Sequence, residues 1–293
     1  MTNKKHNNIF KTLTELGKIR ITFAVSLTTI TGYVIAKGGF DSGLILPTLG
    51  IFLLACGSSA INHYQEMDKD SIMERTKDRP IPSGRISAGM ALLIAFIWSA
   101  TGACLIWLGS NFLAMQLGLL ALIWYNAIYT PLKKVTAFAV VPGSVIGAIP
   151  PVVGWIAGGG SLADPRIMIL AFFFFIWQVP HFWLLLLKYG KEYEKAGFPS
   201  LTSIYSNKQI KNITFIWTLS TAIAALMIPA FGIINSMVVK IGFLLAALWL
   251  IIVFSDLILS KKEGFSPFFF FMRINYFVLT ILVLLIVDIY LPS

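Results

Sequence analysis

The sequence predicts an all-α polytopic membrane protein with nine transmembrane helices and a cytoplasmic N-terminus. Of its 293 residues, 57% are hydrophobic and only 12% are charged, whereas a soluble domain usually carries about 25% charged residues. Nine apolar runs approach the roughly 20 residues that a helix needs to cross a bilayer. Basic residues are concentrated in alternate loops, as expected for a chain that crosses a membrane repeatedly.

The chain divides into a polar, basic tail, 1–18, and a single membrane domain, 19–293. No small-residue cleavage site follows the first apolar run, so we interpret that run as a retained span and not as a signal peptide. The predicted spans lie near 19–37, 43–62, 87–108, 112–130, 136–157, 167–187, 211–232, 238–259 and 272–291. The fifth span contains Pro142, Pro150 and Pro151, and we expect it to face protein or a cavity that satisfies the freed backbone groups.

The distribution of basic residues predicts the orientation. Of the 23 Lys and Arg residues, 20 lie in the tail or in the loops after the second, fourth, sixth and eighth spans; the others are Lys37, Arg166 and Lys240. The positive-inside rule places the rich loops in the cytoplasm and the C-terminus outside. This asymmetry accounts for the net charge of +10 without a nucleic-acid partner.

A charged segment, NHYQEMDKDSIMERTKDRPIPSGR (62–85), follows the second apolar run. If the helix continues, Asn62, Glu66 and Asp70 stand at i, i+4 and i+8 and share one face. An amide and two carboxylates suit Mg²⁺, which prefers oxygen ligands and is usually completed by substrate phosphates. We therefore predict a metal site of these three residues. The alternative is a solvated loop with helix-end salt bridges.

The same segment supplies basic groups for a diphosphate. Arg75 and Arg79, with Lys77 between them, could hold its outer oxygens, because a guanidinium bonds phosphate in a bidentate manner. Pro80 and Pro82 are expected to end the helix, and Asp68, Glu74 and Asp78 to point away from the site. A metal and basic groups at a membrane surface suit the ionisation of an allylic diphosphate whose tail lies in the apolar interior.

A second cluster lies at the end of the sixth apolar run, in WQVPHFWLLLLKYGKEYEKAGFP. Trp177, His181, Lys188 and Glu192 fall within roughly one 60° sector of a helix. A histidine within an apolar run is a functional candidate: as a haem-iron ligand, a proton carrier or a hydrogen-bond donor to substrate. The alternative is a core histidine bonded to a backbone carbonyl.

Together these motifs resemble a known family. The pattern N-x-x-x-(D/E)-x-x-x-D followed by RTxxRPIPxGRI resembles the first aspartate-rich motif of the UbiA superfamily of intramembrane prenyltransferases. WQVPHFWLLLLKYGKEYEKAGFP and YNAIYTPLKKVTAFAVVPGSVIGAIPPVVGW resemble segments of its protoheme IX farnesyltransferase branch, as does LGKIRITFAVSLTTITGY near the N-terminus. The resemblance covers roughly residues 13–205.

The resemblance implies a UbiA-type bundle of nine helices with a central cavity, in the inner (cytoplasmic) membrane, with its active site toward the cytoplasm. The implied substrates are farnesyl diphosphate and haem b, the product is haem O, and the product would pass to haem A synthase or a terminal oxidase. The resemblance assigns the metal and diphosphate motif to Asn62, Glu66, Asp70, Arg75 and Arg79, and the second motif to His181, Lys188, Glu192 and Tyr193.

We assign roles on this basis. Mg²⁺ is expected on Asn62, Glu66 and Asp70, with Glu192 as a further ligand; Lys188 is expected to bind diphosphate and to belong with these residues to the catalytic set; His181 and Trp177 are expected to contact the acceptor. The sequence departs from the family at Glu66 and Glu192, which replace Asp, and in FAVVPG, which replaces NIVIGG. Two alternatives remain: a prenyltransferase for a quinone precursor or chlorin, and a transporter or haem-binding protein.

Overall fold

The computed structural model describes residues 8–259 and 266–292, and this part of the chain contains helices and no strand. Nine of the helical segments in it are long and apolar enough to cross a membrane, which confirms the predicted fold class. From the first to the ninth span they are Ile19–Lys37, Ser42–Gln65, Ala88–Gly109, Phe112–Leu132, Ala137–Ala157, Pro165–Lys188, Asn207–Ala230, Met237–Leu259 and Pro267–Asp288.

Capping residues explain the largest differences from the predicted bounds. The seventh span begins at Asn207, four residues before the expected start, because Ser206 and Gln209 form a capping box at its N-terminus. The ninth begins at Pro267 because the Ser266 side chain accepts a hydrogen bond from the Phe269 N–H. Hydropathy alone misses such starts, since capping residues are polar.

The fifth span packs closely against the first, and we had expected it to face either protein or a cavity. A Cβ atom on Gly32 would lie 2.0 Å from the Pro151 carbonyl oxygen, and one on Gly154 would lie 1.9 Å from the Thr29 oxygen. Only glycine permits this approach, which is the usual way in which small residues bring membrane helices together. The contact fixes the first span, and with it Lys18, against the middle of the bundle.

The fourth and fifth spans are irregular where they approach the charged loops. The fourth is α-helical over Phe112–Ile123, forms a π-helix over Trp124–Tyr129, and ends in Thr130–Leu132. The fifth consists of Ala137–Ala139, Val140–Gly143 and Val145–Ala157. Trp124 Nε1 donates to the Pro142 carbonyl at 2.7 Å, so a side chain satisfies a backbone group where the helix is interrupted.

Short helices extend this end of the bundle: Ile9–Leu16, Met67–Ile72, Gly190–Lys195 and the 3₁₀ turn Leu201–Ser203. Ile9–Leu16 contacts the second span, where Ser59 Oγ donates to the Leu16 carbonyl at 2.9 Å. The division between a tail, 1–18, and a membrane domain stays a prediction, but Thr12 and Leu16 of that tail are buried in the structure. His6 lies outside the described residues.

The chain after the second span differs from the single helix that we expected. The helix ends at Gln65, Glu66 separates it from Met67–Ile72, and residues 73–85 form successive turns. The short helix Met67–Ile72 therefore ends eight residues before Pro80, so Pro80 and Pro82 shape the turns and do not terminate a helix.

Candidate active site

The charged segment and its neighbours enclose a polar cavity of about 510 Å³. The helical register survives the break at Glu66, because the Glu66 N–H bonds the Asn62 carbonyl and the Asp70 N–H bonds the Glu66 carbonyl. As a result the three predicted metal ligands all line the cavity. The side chains of Arg75 and Arg79 line it as well.

Each of the three oxygen-bearing side chains is held by a basic residue from elsewhere in the chain. The basic partners come from the first span's N-terminus, the loop after the fourth span and the turns after Ile72. The contacts are Lys18 Nζ to Asn62 Oδ1 at 2.8 Å, Lys133 Nζ to Glu66 Oε1 at 2.6 Å and Arg79 Nη1 to Asp70 Oδ2 at 2.6 Å. Oxygen-bearing side chains that could bind a metal thus alternate with cations that could bind a diphosphate.

The donor set fits a hard cation that shares its coordination sphere with a substrate. Asp70 is fully buried, yet its Oδ1 atom has no hydrogen-bond partner among the residues that the structure describes. Asn62 Nδ2 donates to Thr130 Oγ1 at 3.3 Å, which turns the amide oxygen into the cavity. Within residues 8–259 and 266–292, no three His, Cys, Asp or Glu side chains form a metal-binding group, so Mg²⁺ here would depend on the amide and on phosphate oxygens.

The electrostatics of the cavity favour an anion beside the carboxylates. Burial would raise the pKa of Glu66, but the ion pair with Lys133 and the charges of Lys18 and Arg79 hold the pKa of this carboxyl below its usual value. Burial, reinforced by the charge of Arg79, lowers the pKa of Lys18 to about 7. A phosphate oxygen beside Lys18 would relieve this unfavourable burial of a cation.

Contacts between the two motif loops close one side of the cavity. Glu192 accepts the Arg75 backbone N–H at 3.1 Å, and the Arg75 guanidinium lies over the Tyr189 ring and bonds the Tyr193 hydroxyl at 3.4 Å. Lys69 Nζ donates to the Ala196 carbonyl at 2.5 Å. Tyr193 lines the cavity, whereas Glu192 is not part of its lining and contacts the Arg75 backbone instead.

The structure does not bring Lys188 to the polar cavity. Its exposed ammonium lies 3.6 Å from the centre of the Phe268 ring, on the side that faces the ninth span. The sixth span ends at Lys188, and Tyr189 departs from helical geometry, so Glu192 does not continue the predicted sector. This placement gives no support to direct diphosphate binding by Lys188.

Trp177 and His181 also face the ninth span. The His181 ring lies 4.8 Å from that of Trp177 and 4.9 Å from that of Phe271. Within residues 8–259 and 266–292, His181 Nδ1 and Trp177 Nε1 are buried without hydrogen-bond partners. Phe182 connects the two regions, since its ring is 5.4 Å from His181 and it lines the polar cavity.

An apolar cavity of about 170 Å³ continues from the polar one toward the bundle interior. The two share four lining residues: Lys18, Ile21, Tyr125 and Phe182. Its walls include Val25, Ile51, Leu54, Leu122 and Pro150. A charged chamber that opens into an apolar one suits an amphiphile with an anionic head and a hydrocarbon tail.

Several residues of the polar cavity were not assigned from the sequence. Lys18 and Lys133 lie in LGKIRI and YTPLKK, two stretches that resemble the family. That resemblance was the feature of the sequence that could have pointed to them. His63, Tyr125 and Tyr129 line the cavity, and so does Asp78, which we had expected to point elsewhere.

Comparison with known proteins agrees with this geometry. The model of the UbiA prenyltransferase family matches residues 25–275. Among solved structures, a digeranylgeranylglyceryl phosphate synthase superposes with a TM-score of 0.75 at 18% identity, covering 96% of this chain and 98% of that one. A UbiA homologue from Archaeoglobus fulgidus bound to GPP and Mg²⁺ gives 0.71 at 15% identity, covering 96% and 100%. At these identities the likeness concerns the fold.

Relatives of known name are more similar in sequence. The protoheme IX farnesyltransferase of Oleidesulfovibrio alaskensis is 34% identical over 289 residues, covering 96% of this chain and 97% of the relative. That of Geobacter sulfurreducens is 37% identical over 218 residues, covering 74% and 80%, and the human mitochondrial enzyme is 38% identical over 187 residues, covering 64% and 42%. The chain belongs to the UbiA prenyltransferase family and, within it, to the protoheme IX farnesyltransferases.

Proposed function

We propose that the protein transfers the farnesyl group of farnesyl diphosphate to a vinyl group of haem b, giving haem O and releasing diphosphate. The observation that carries the proposal is a charged cavity continuous with an apolar one, in a chain similar to protoheme IX farnesyltransferases over nearly its whole length. The farnesyl C1–O bond breaks and the terminal vinyl carbon bonds to C1. Water adds to the carbon next to the porphyrin, and one proton is released.

Asn62, Glu66 and Asp70 would hold Mg²⁺, which neutralises charge on the departing diphosphate when it is bound. Asp70 Oδ1 has no hydrogen-bond partner in the described part of the chain, and Asp70 lines the polar cavity. The Archaeoglobus fulgidus homologue binds Mg²⁺ together with GPP, which supports a divalent cation in this fold. Glu192 does not join this set in our proposal; it fixes the Arg75 loop through the backbone bond at 3.1 Å.

Basic residues would take the diphosphate oxygens. Arg75 and Arg79 come from the predicted motif, and Lys18 and Lys133 join them because both line the cavity. Charge-assisted hydrogen bonds from such groups strengthen as negative charge develops on the leaving group, so they lower the barrier to C1–O cleavage. The farnesyl tail would lie in the apolar cavity, away from water that would quench the allylic cation.

The acceptor would meet His181 and Trp177. The His181 ring lies between that of Trp177, at 4.8 Å, and that of Phe182, at 5.4 Å, and Phe182 lines the polar cavity. We propose contact between haem and this pair, with Lys188 nearby at the end of the helix.

The charge distribution supports a proposal for the membrane setting. We propose that the protein lies in the cytoplasmic membrane with the polar cavity toward the cytoplasm, because the basic loops flank that cavity. The product would be handed to haem A synthase or a terminal oxidase. Reporter fusions at residue 8 and at the C-terminus test the orientation.

The deciding experiment is mass spectrometry of haems extracted from membranes that contain the protein, haem b, farnesyl diphosphate and Mg²⁺. We expect a haem heavier by one farnesyl group plus the elements of water, and we expect EDTA to suppress it. Recovery of haem b alone from folded protein would refute the proposal. Consumption of farnesyl diphosphate with a quinone precursor or chlorin would then identify another acceptor.

A further inference from the structure

His63 has no role in the site as described so far, although it lines the polar cavity. It follows Asn62 on the second span, and its side chain is 1% exposed. Neither Nδ1 nor Nε2 has a hydrogen-bond partner in the described structure. A buried polar group without a partner is costly, so its presence calls for an explanation.

The surroundings of His63 indicate what would satisfy it. The basic side chains of Lys18 and Arg79 line the same cavity as His63. An anion bound in this cavity would therefore meet these two cations together with the imidazole. Mg²⁺ selects oxygen ligands, so an imidazole here is better matched to a phosphate oxygen than to the metal.

We propose that His63 is a further ligand of the prenyl diphosphate, donating an imidazole N–H to one of its oxygens. This inference rests on the proposed function, because it assigns a residue to the same substrate. The neutral imidazole suffices for it, since one ring nitrogen carries a hydrogen in either tautomer. Substrate binding would then satisfy a nitrogen that the protein itself leaves unpaired.

The proposal predicts effects of opposite sign in the free and bound protein. Leucine at position 63 removes two unsatisfied nitrogens, so His63→Leu should raise the melting temperature of the ligand-free protein in detergent. The same change removes a hydrogen bond to a charged ligand, so the Kd for farnesyl diphosphate with Mg²⁺ should increase about 10- to 100-fold. A purely structural histidine would not combine these two results.

Calorimetry with inorganic diphosphate and with farnesyl diphosphate, each in the presence of Mg²⁺, measures binding without turnover. His63→Asn keeps N–H donors and should retain most of the affinity. Tyr64→Leu is the matched control, since Tyr64 is the next residue and is 38% exposed; its affinity should equal that of the unmodified protein.

The outcomes separate this inference from the proposed function. Affinity of His63→Leu equal to that of the control overturns the inference, even if the unmodified protein makes haem O. That result would indicate a water-bridged core histidine. If His63→Leu binds farnesyl diphosphate more weakly but the unmodified protein makes no haem O, the inference is supported and the proposed acceptor is refuted. If His63→Leu does not fold, His63→Asn decides: lost affinity in that folded variant also overturns the assignment of a simple N–H donor.

Discussion

Replacing Asp70 by asparagine isolates the charge at the centre of the proposed metal site. The carboxylate is fully buried, its Oδ2 accepts from Arg79 at 2.6 Å, and no described residue hydrogen-bonds its Oδ1. Asp70→Asn keeps the shape and one oxygen but removes the charge that a cation needs. Removing one group that stabilises developing charge costs about 3–4 kcal/mol, so kcat/KM should fall by about 100- to 1,000-fold.

The same substitution should leave the protein folded. Breaking a buried ion pair from one side costs about 3–5 kcal/mol. Arg79 keeps 19% side-chain exposure to the cavity and can still donate to the asparagine oxygen, so the expected cost is nearer 1–3 kcal/mol. The nine-span bundle contributes the rest of the stability, and a lower melting temperature with an intact elution profile is the expected result.

Turnover is followed as haem O formed per minute, by mass spectrometry, at several Mg²⁺ concentrations. Asp68→Asn is the matched control, because Asp68 is exposed on the same short helix and should leave kcat/KM unchanged. A folded Asp70→Asn protein that is as active as the Asp68→Asn protein would refute the metal assignment.

Three further predictions concern the diphosphate head of the substrate, the metal ion and the farnesyl tail. Lys133→Met should weaken farnesyl diphosphate binding about tenfold or more, whereas Lys134→Met should not, because Lys134 bonds the Gln65 carbonyl at the exposed rim; equal affinities in calorimetry would contradict this. EDTA should abolish haem O formation and added Mg²⁺ should restore it, and activity that persists in EDTA would exclude a required divalent cation. Leu54→Ala should enlarge the apolar cavity at a cost of about 2–5 kcal/mol in stability and improve competition by geranylgeranyl diphosphate; unchanged competition would place the tail elsewhere.

The sequence predicted the spans well because crossing a membrane imposes a length and a hydropathy on each segment. It also predicted that Asn62, Glu66 and Asp70 share a face, since one helical period relates them. Lys18 and Lys133 are 44 and 67 residues from the side chains that they contact. Their positions depend on how the first and fourth spans pack against the second. The helical periodicity within one segment carries no information about that packing.

Lys188 shows a different limit of sequence reasoning. Trp177, His181 and Lys188 do lie on one side of the sixth span, as their spacing predicted, but that side meets Phe268 and Phe271 of the ninth. Periodicity tells which residues share a face and does not tell which neighbour the face meets. The side that borders both cavities carries Phe182, a residue without any polar signature.

The pairing of each oxygen ligand with a cation predicts that the metal and the diphosphate bind together. Mg²⁺ alone would enter a cavity where Lys133 and Arg79 already neutralise Glu66 and Asp70, and it would repel both cations. A diphosphate alone would meet carboxylates that retain their charge. When both bind, the cations can turn to phosphate oxygens while the metal takes the carboxylates, so no buried charge is left unpaired.

This exchange makes the coupling measurable, since linkage requires each ligand to increase the affinity of the other by the same factor. Calorimetry should show weak Mg²⁺ binding in the absence of farnesyl diphosphate and much tighter binding in its presence. Lys133→Met leaves Glu66 without its neutralising cation, so this variant should bind Mg²⁺ more tightly than the unmodified protein does in the absence of farnesyl diphosphate. The factor by which farnesyl diphosphate increases the Mg²⁺ affinity should then be smaller. Tight Mg²⁺ binding by the unmodified protein without substrate would show that Lys133 and Arg79 do not weaken metal binding to the carboxylates.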